Sequence, residues 1–89
     1  MRIGVVGAGY VGLVAGICLA EMGNVVTIVD NNPDKINLLR TGHSPHFEPG
    51  LDELRVRNQS NGRLSFSTVV RDAVAGWEVV FIAVGSPTG

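Results

Sequence analysis

A single cysteine, no run of like charges and no long apolar segment limit what this 89-residue chain can be. Cys18 alone cannot close an internal disulfide, and no spacing of Cys, His and carboxylates matches a metal site. A net charge of −1 without a basic cluster leaves no electrostatic footprint for nucleic acid or for an anionic membrane surface. The apolar stretches are short and broken by glycine, which excludes a transmembrane helix. No metal, nucleic-acid or membrane partner is therefore expected.

What is present is ordinary globular material. Apolar residues make up 45% of the chain and charged residues 17%, a balance that argues against disorder. The length allows one small domain or part of a larger one. A chain this short buries a modest share of its surface, so marginal stability is expected. The opening MRIGVVGAGYVGLVAGICLA superficially matches a secretory leader, with one Arg followed by an apolar run. Three glycines at fixed spacing lie inside that run, and a strand-turn-helix reading accounts for each of them. The leader reading is set aside, and a cytoplasmic protein is expected.

Residues 2–6 read as a buried strand, because Ile3, Val5 and Val6 do not alternate with polar residues. From Val11 the period becomes helical: Val11, Val14, Ala15, Cys18, Leu19 and Met22 are expected to form one apolar face, ended by Gly23. Cys18 is thus expected in the core. Residues 25–29 form a second strand, closed by Asp30. Asn32-Pro33-Asp34 starts a helix, with Asn as N-cap, Pro at its first position and an acid in its first turn. Ile36 and Leu39 give it an apolar face, Arg40 suits its last turn and Gly42 stops it. Leu51 and Leu54 predict a short third helix, with residues 58–63 as a turn. Residues 64–67 read as a half-buried or edge strand, Thr68 as the N-cap of a helix carrying Val70, Ala73 and Val74, and residues 78–84 as the most hydrophobic strand. The order β-α-β-α-α-β-α-β implies an α/β fold: a Rossmann-type parallel sheet, first half, of about four strands in order 3-2-1-4 with flanking helices.

The motif that carries chemistry is Gly7-x-Gly9-x-x-Gly12. Alone it is weak; after a buried strand and before a helix it predicts a dinucleotide site. Gly7 permits the tight turn, Gly9 admits a pyrophosphate to the backbone, and Gly12 lets helix and strand pack closely. The positive helix end then faces the phosphates. Close packing alone explains Gly12 but not Gly7 and Gly9. Asp30 stands where a carboxylate accepts hydrogen bonds from the adenosine ribose, and it repels a 2′-phosphate. No adjacent Arg compensates, so NAD is favoured over NADP; the competing reading is a solvated strand-end acid or a turn residue. Lys35 either reaches the ribose or a phosphate, or is an ordinary surface lysine. Val84, Gly85, Ser86, Pro87 and Thr88 end the fourth strand, where ligands cross open α/β sheets, unless they form a plain connecting loop. His43, His46, Glu48 and Trp77 read as loop and packing residues, and no catalytic residue is assigned.

The segments GAGYVGLVAGICLAEMG, VTIVDNNPDKI, GHSPHFEPGLDEL, NGRLSFST and VVFIAVGSPTG together resemble the UDP-glucose 6-dehydrogenase family. GDP-mannose and UDP-N-acetylmannosamine dehydrogenases share much of this pattern, and Phe47 before Glu48 tilts the resemblance to UDP-glucose. The resemblance implies oxidation of a sugar C6 alcohol to a carboxylate with two NAD reduced, by way of a thioester on a cysteine. It assigns Gly7, Ala8, Gly9, Tyr10, Val11 and Gly12 to the pyrophosphate, Asp30 to the ribose acid, Lys35 to the basic residue five positions after it, and Val84, Gly85, Ser86, Pro87 and Thr88 to the loop under the cofactor.

Family members are several times longer. Their catalytic and sugar-binding groups lie beyond residue 89, and Cys18 does not match their nucleophile. The expectation is the N-terminal part of an NAD-binding domain, inactive alone, meeting a nucleotide sugar only through domains absent here. The end of the chain inside the VGSPTG loop favours this over a stand-alone NAD-binding module. An apolar fourth strand left at the sheet edge invites pairing with another chain, so self-association or homo-oligomerisation is expected.

Overall fold

The computed structural model describes residues 1–41, 49–69, 71–74 and 78–82. In chain order the elements are β1 (Arg2–Val6), α1 (Tyr10–Glu21), β2 (Val25–Val29), α2 (Pro33–Arg40), α3 (Pro49–Ser60), β3 (Leu64–Ser67), α4 (Arg71–Val74) and β4 (Val79–Ile82). All strand pairs are parallel, and the order across the sheet is β3-β2-β1-β4. This is the expected Rossmann half.

The pleat divides the sheet into two unlike faces, since successive side chains point to opposite sides. Ile3, Val5, Val26, Ile28, Leu64 and Phe66 form the apolar face and join Leu13, Ile17, Ala20, Ile36 and Leu39 in one core cluster. The other face carries Thr27 and Ser65, whose hydroxyls lie 3.0 Å apart, and Ser67, bonded to Asp72 of α4 at 2.6 Å.

The structure corrects the expected face of α1. Its buried residues are Gly12, Leu13, Gly16, Ile17 and Ala20, on the opposite side from the predicted set at 100° per residue. Val11 and Met22 are 72% and 78% exposed, and Cys18 is exposed rather than core. The physical reason is proximity. A Cβ built on Gly16 would stand 2.5 Å from Ile28 Cδ1 and 2.9 Å from its Cγ1. The helix lies so close to β2 that its small residues must face inward. Because α1 is apolar nearly all round, periodicity alone could not choose the side.

One further expectation changes. The third helix does not stop before residue 58 but runs to Ser60. Asn58 and Gln59 act as links between elements, not as turn residues. Asn58 Nδ2 donates to Leu54 O and to Glu21 Oε1, and Gln59 Nε2 donates to Arg40 O. Val70, which precedes α4, lies outside the described residues; nearby, Ser67 links the end of β3 to α4. The hydroxyl of Ser67 accepts the Val69 N–H at 3.0 Å while donating to Asp72. On β4, Val80, Phe81 and Ile82 are exposed.

The other edge of the sheet is treated differently. Arg63 and Ser67 present their carbonyls to β2, so the Phe66 carbonyl between them points outward. Arg40, at the end of α2, reaches over and donates to that oxygen through Nε at 3.1 Å and Nη2 at 2.7 Å. Behind it Arg55 is wholly buried, donating to Asp52 Oδ1, Leu39 O and Gln59 Oε1. It thereby ties α3 to the end of α2.

Candidate functional site

The turn between β1 and α1 stands at the carboxyl end of the sheet. Gly7 has φ +113°, the left-handed region that side chains disfavour, and its N–H donates to Val29 O at 2.7 Å. Ala8 is buried beneath the turn. Gly9 is the N-cap of α1 in extended conformation and brings no side-chain cap. A Cβ placed on Gly9 would meet nothing within 4 Å, so its hydrogen faces open space above the helix end.

The contrast with α2 is informative. There Asn32 accepts hydrogen bonds from the N–H groups of Asp34 and Lys35 at 3.0 and 3.2 Å, satisfying two of the donors that every helix start leaves over. At α1 no side-chain cap is made and no acid lies in the first turn. Uncapped N–H groups and the positive end of the helix dipole suit an anion. Tyr10 and Val11, which begin the helix, are exposed.

Asp30 joins β2 to this turn. Its Oδ2 accepts the Ala8 N–H at 2.9 Å and its Oδ1 the Asn32 N–H at 2.9 Å. Lys35 Nζ lies 3.7 Å from Oδ2. Burial works against the charged carboxyl, but the Ala8 and Asn32 N–H groups and the Lys35 charge outweigh it, holding the group below the ordinary carboxylate value. Asp30 is therefore an anion fixed in orientation, with lone pairs left to accept from a vicinal diol.

Residues 7–12, Asp30 and Lys35 thus converge at one end of the sheet. Val84, Gly85, Ser86, Pro87 and Thr88 lie outside the described residues, as do Gly42, His43, His46, Glu48, Val70 and Trp77. Sequence reasoning overlooked Gly16, which sets how near α1 comes to β2. Its signal was a fourth glycine one helical turn beyond Gly12. Among the described residues no group of three or more His, Cys, Asp or Glu could hold a metal. Nor is any of their helices long and apolar enough to cross a membrane.

Parallel β-α-β order, a glycine turn at the end of the first strand and a fixed carboxylate at the end of the second define the class: a Rossmann-type nucleotide-binding domain. Comparison with known proteins then specifies it. Residues 1–89 match the model of the UDP-glucose/GDP-mannose dehydrogenase family, NAD binding domain. The chain belongs to this family, and NAD is the cofactor of the domain.

It is 51% identical over 88 residues to a UDP-glucose 6-dehydrogenase of Rhizobium meliloti, covering 99% of this chain and 20% of that protein. A GDP-mannose 6-dehydrogenase of Pseudomonas aeruginosa is 44% identical over 88 residues, again 99% of this chain and 20% of the relative. The solved UDP-glucose dehydrogenase of Pyrobaculum islandicum superposes with a TM-score of 0.88 at 43% identity, covering 97% of this chain and 20% of its own. The chain thus spans about a fifth of the length of these nucleotide-sugar dehydrogenases.

Proposed function

We propose that residues 1–89 are the N-terminal part of the cofactor domain of a cytoplasmic UDP-glucose 6-dehydrogenase, which converts UDP-glucose to UDP-glucuronate. NAD held here would supply the hydride acceptor, two being used per sugar. Gly7, Ala8, Gly9, Tyr10, Val11 and Gly12 form the turn that holds the pyrophosphate; with the Gly7 and Ala8 N–H groups engaged on Val29 O and Asp30 Oδ2, the donors to it are those of the uncapped α1 start. Asp30 accepts from the adenosine ribose hydroxyls, and Lys35 fixes Asp30 while facing the same ligand. Val84, Gly85, Ser86, Pro87 and Thr88 complete the floor of the site. The chain contributes no catalytic residue; the sugar and its chemistry belong to domains outside it, and this part alone is inactive.

The observation that carries the reading is the pairing of an uncapped α1 start with a carboxylate pinned to it through Ala8 N–H. The helix start serves the pyrophosphate, and the carboxylate serves the diol of the adjoining adenosine ribose. An ionised Asp30 repels a 2′-phosphate and so selects NAD over NADP. UDP-glucose is preferred as substrate because three UDP-glucose 6-dehydrogenases are 46–51% identical to this chain. A second reading, GDP-mannose, is favoured by the Pseudomonas aeruginosa GDP-mannose dehydrogenase structure, at 45% identity and a TM-score of 0.89 over 98% of this chain and 20% of its own. The exposed β4 residues support self-association of the chain through that edge. A monomer in concentrated solution by sedimentation velocity refutes this last point.

Calorimetric titration tests the cofactor site. NAD and ADP-ribose bind with comparable affinity, NADP does not bind, and Asp30→Ala or Gly9→Val abolishes the heat. A folded chain that binds neither NAD nor ADP-ribose overturns the assignment of the half-site.

A further inference from the structure

The sheet face opposite α1 holds a polar hollow that the cofactor site does not use. Val26 and Ile28 meet α1, so Thr27 between them points to the other side. Thr27 and Ser65 are register partners there, hydroxyl to hydroxyl. Beside them opens a cavity of about 470 Å³, lined also by Arg2, Arg40, Arg71 and Asp72. Three of the chain's six arginines thus border one hollow, against one carboxylate, in a chain of net charge −1.

The arginines are not all committed. Arg40 uses Nε and Nη2 on Phe66 O, and among the described residues its Nη1 has no partner. Arg71, exposed, makes no hydrogen bond or ion pair to any described residue. Asp72 offsets part of the positive charge at the hollow, and the remaining donors of Arg40 and Arg71 favour an anion there. Their planar forks match phosphate geometry, and serine and threonine hydroxyls either donate to or accept from the rest of a small polar ligand. The volume lies in the range of small-molecule sites.

We propose that this hollow binds a small phosphate-bearing molecule, with Arg71 and Arg40 on the phosphate and the Thr27–Ser65 hydroxyls on the remainder. The site is distinct from the cofactor half-site, because it lies on the opposite face of the sheet from α1.

Amide-resolved NMR titration of the ¹⁵N-labelled chain with inorganic phosphate and with glycerol 3-phosphate tests this, since residues 9–12 provide an internal control. The expected result is a saturable shift of the Thr27, Ser65 and Ser67 amides. Arg71→Gln should weaken it about tenfold, the loss of one charge-assisted hydrogen bond, and leave the response of residues 9–12 unchanged. Arg71 is exposed, so this variant folds; an unaltered urea midpoint verifies it. Tighter binding of glycerol 3-phosphate than of phosphate identifies a phosphorylated metabolite as the ligand, and equal binding identifies phosphate itself. Shifts confined to residues 9–12, no saturation by either probe, or a Thr27–Ser65 response indifferent to Arg71→Gln overturns the proposal.

Discussion

Gly16→Ala sets two known effects against each other. On an exposed helix the change is favourable by about 1 kcal/mol, because alanine forms helix better than glycine. Here the new methyl would lie 2.5 Å from Ile28 Cδ1, 2.9 Å from Ile28 Cγ1 and 3.5 Å from Val26 Cγ1. Ile28 and Val26 have no exposed surface, so the first contact cannot be relieved by swinging a side chain into solvent. Overpacking of this kind costs about 1–3 kcal/mol. The sum is a net loss of about 1 kcal/mol. Ile28→Val removes Cδ1, the nearer offending atom, at about 1 kcal/mol alone. The double variant Gly16→Ala/Ile28→Val should then be more stable than the two single losses added together, a favourable coupling. Urea unfolding followed by circular dichroism measures all four chains. Helix α1 also carries Gly9 at its start, so ADP-ribose affinity should fall in Gly16→Ala and recover in the double variant. A Gly16→Ala chain more stable than the parent, or strict additivity in the cycle, refutes the close contact.

Three other outcomes are expected. The folded pKa of Asp30 lies below its ordinary 3.8, so its stabilisation is complete above that value and disappears as pH falls through the lower, folded one. The stability gap between the parent and Asp30→Asn should therefore be full at pH 7 and narrow below pH 4 (on the order of the ordinary carboxylate pKa), and urea midpoints showing a constant gap contradict it. Arg55→Ala empties a buried position and strands Leu39 O, a loss of about 3 kcal/mol from the vacated volume and the unmet carbonyl; a thermal melt unchanged from the parent rules this out. Asn32→Ala leaves the Asp34 and Lys35 N–H groups without their cap, worth about 1 kcal/mol. Asn32→Asp should keep that stability in the same urea assay, and two equally unstable variants show that the side chain is no cap.

Legibility in the sequence followed the range of the interaction concerned. Asn32 capping α2, Gly7 turning with positive φ and the strands at residues 2–6 and 25–29 all rest on neighbours in the chain, and all were readable. So was the sheet order, because right-handed crossovers leave few alternatives. The inward face of α1 was not readable. Val11, Val14, Cys18 and Met22 fit a helical stripe as well as Leu13, Ile17 and Ala20 do, and only the distance to Ile28 decides between them. Asn58 was missed for a related reason: an asparagine near Gly62 resembles a turn until Glu21, 37 positions away, accepts its amide.

Arg40 shows the limit most clearly. By sequence it suits the last turn of α2, where a cation favours the helix dipole. In the fold its guanidinium covers the outward carbonyl of Phe66, so one edge of the sheet is blocked by a charged side chain, a known guard against unwanted pairing. Among the described residues β4 has no such guard, and Phe81 and Ile82 stand exposed along it. Among the described residues the two edges of the sheet therefore differ: β3 carries the Arg40 guanidinium across its outward carbonyl, and β4 carries no such cover. The self-association proposed above would therefore use β4 rather than β3, where Arg40 already occupies the outward carbonyl of Phe66.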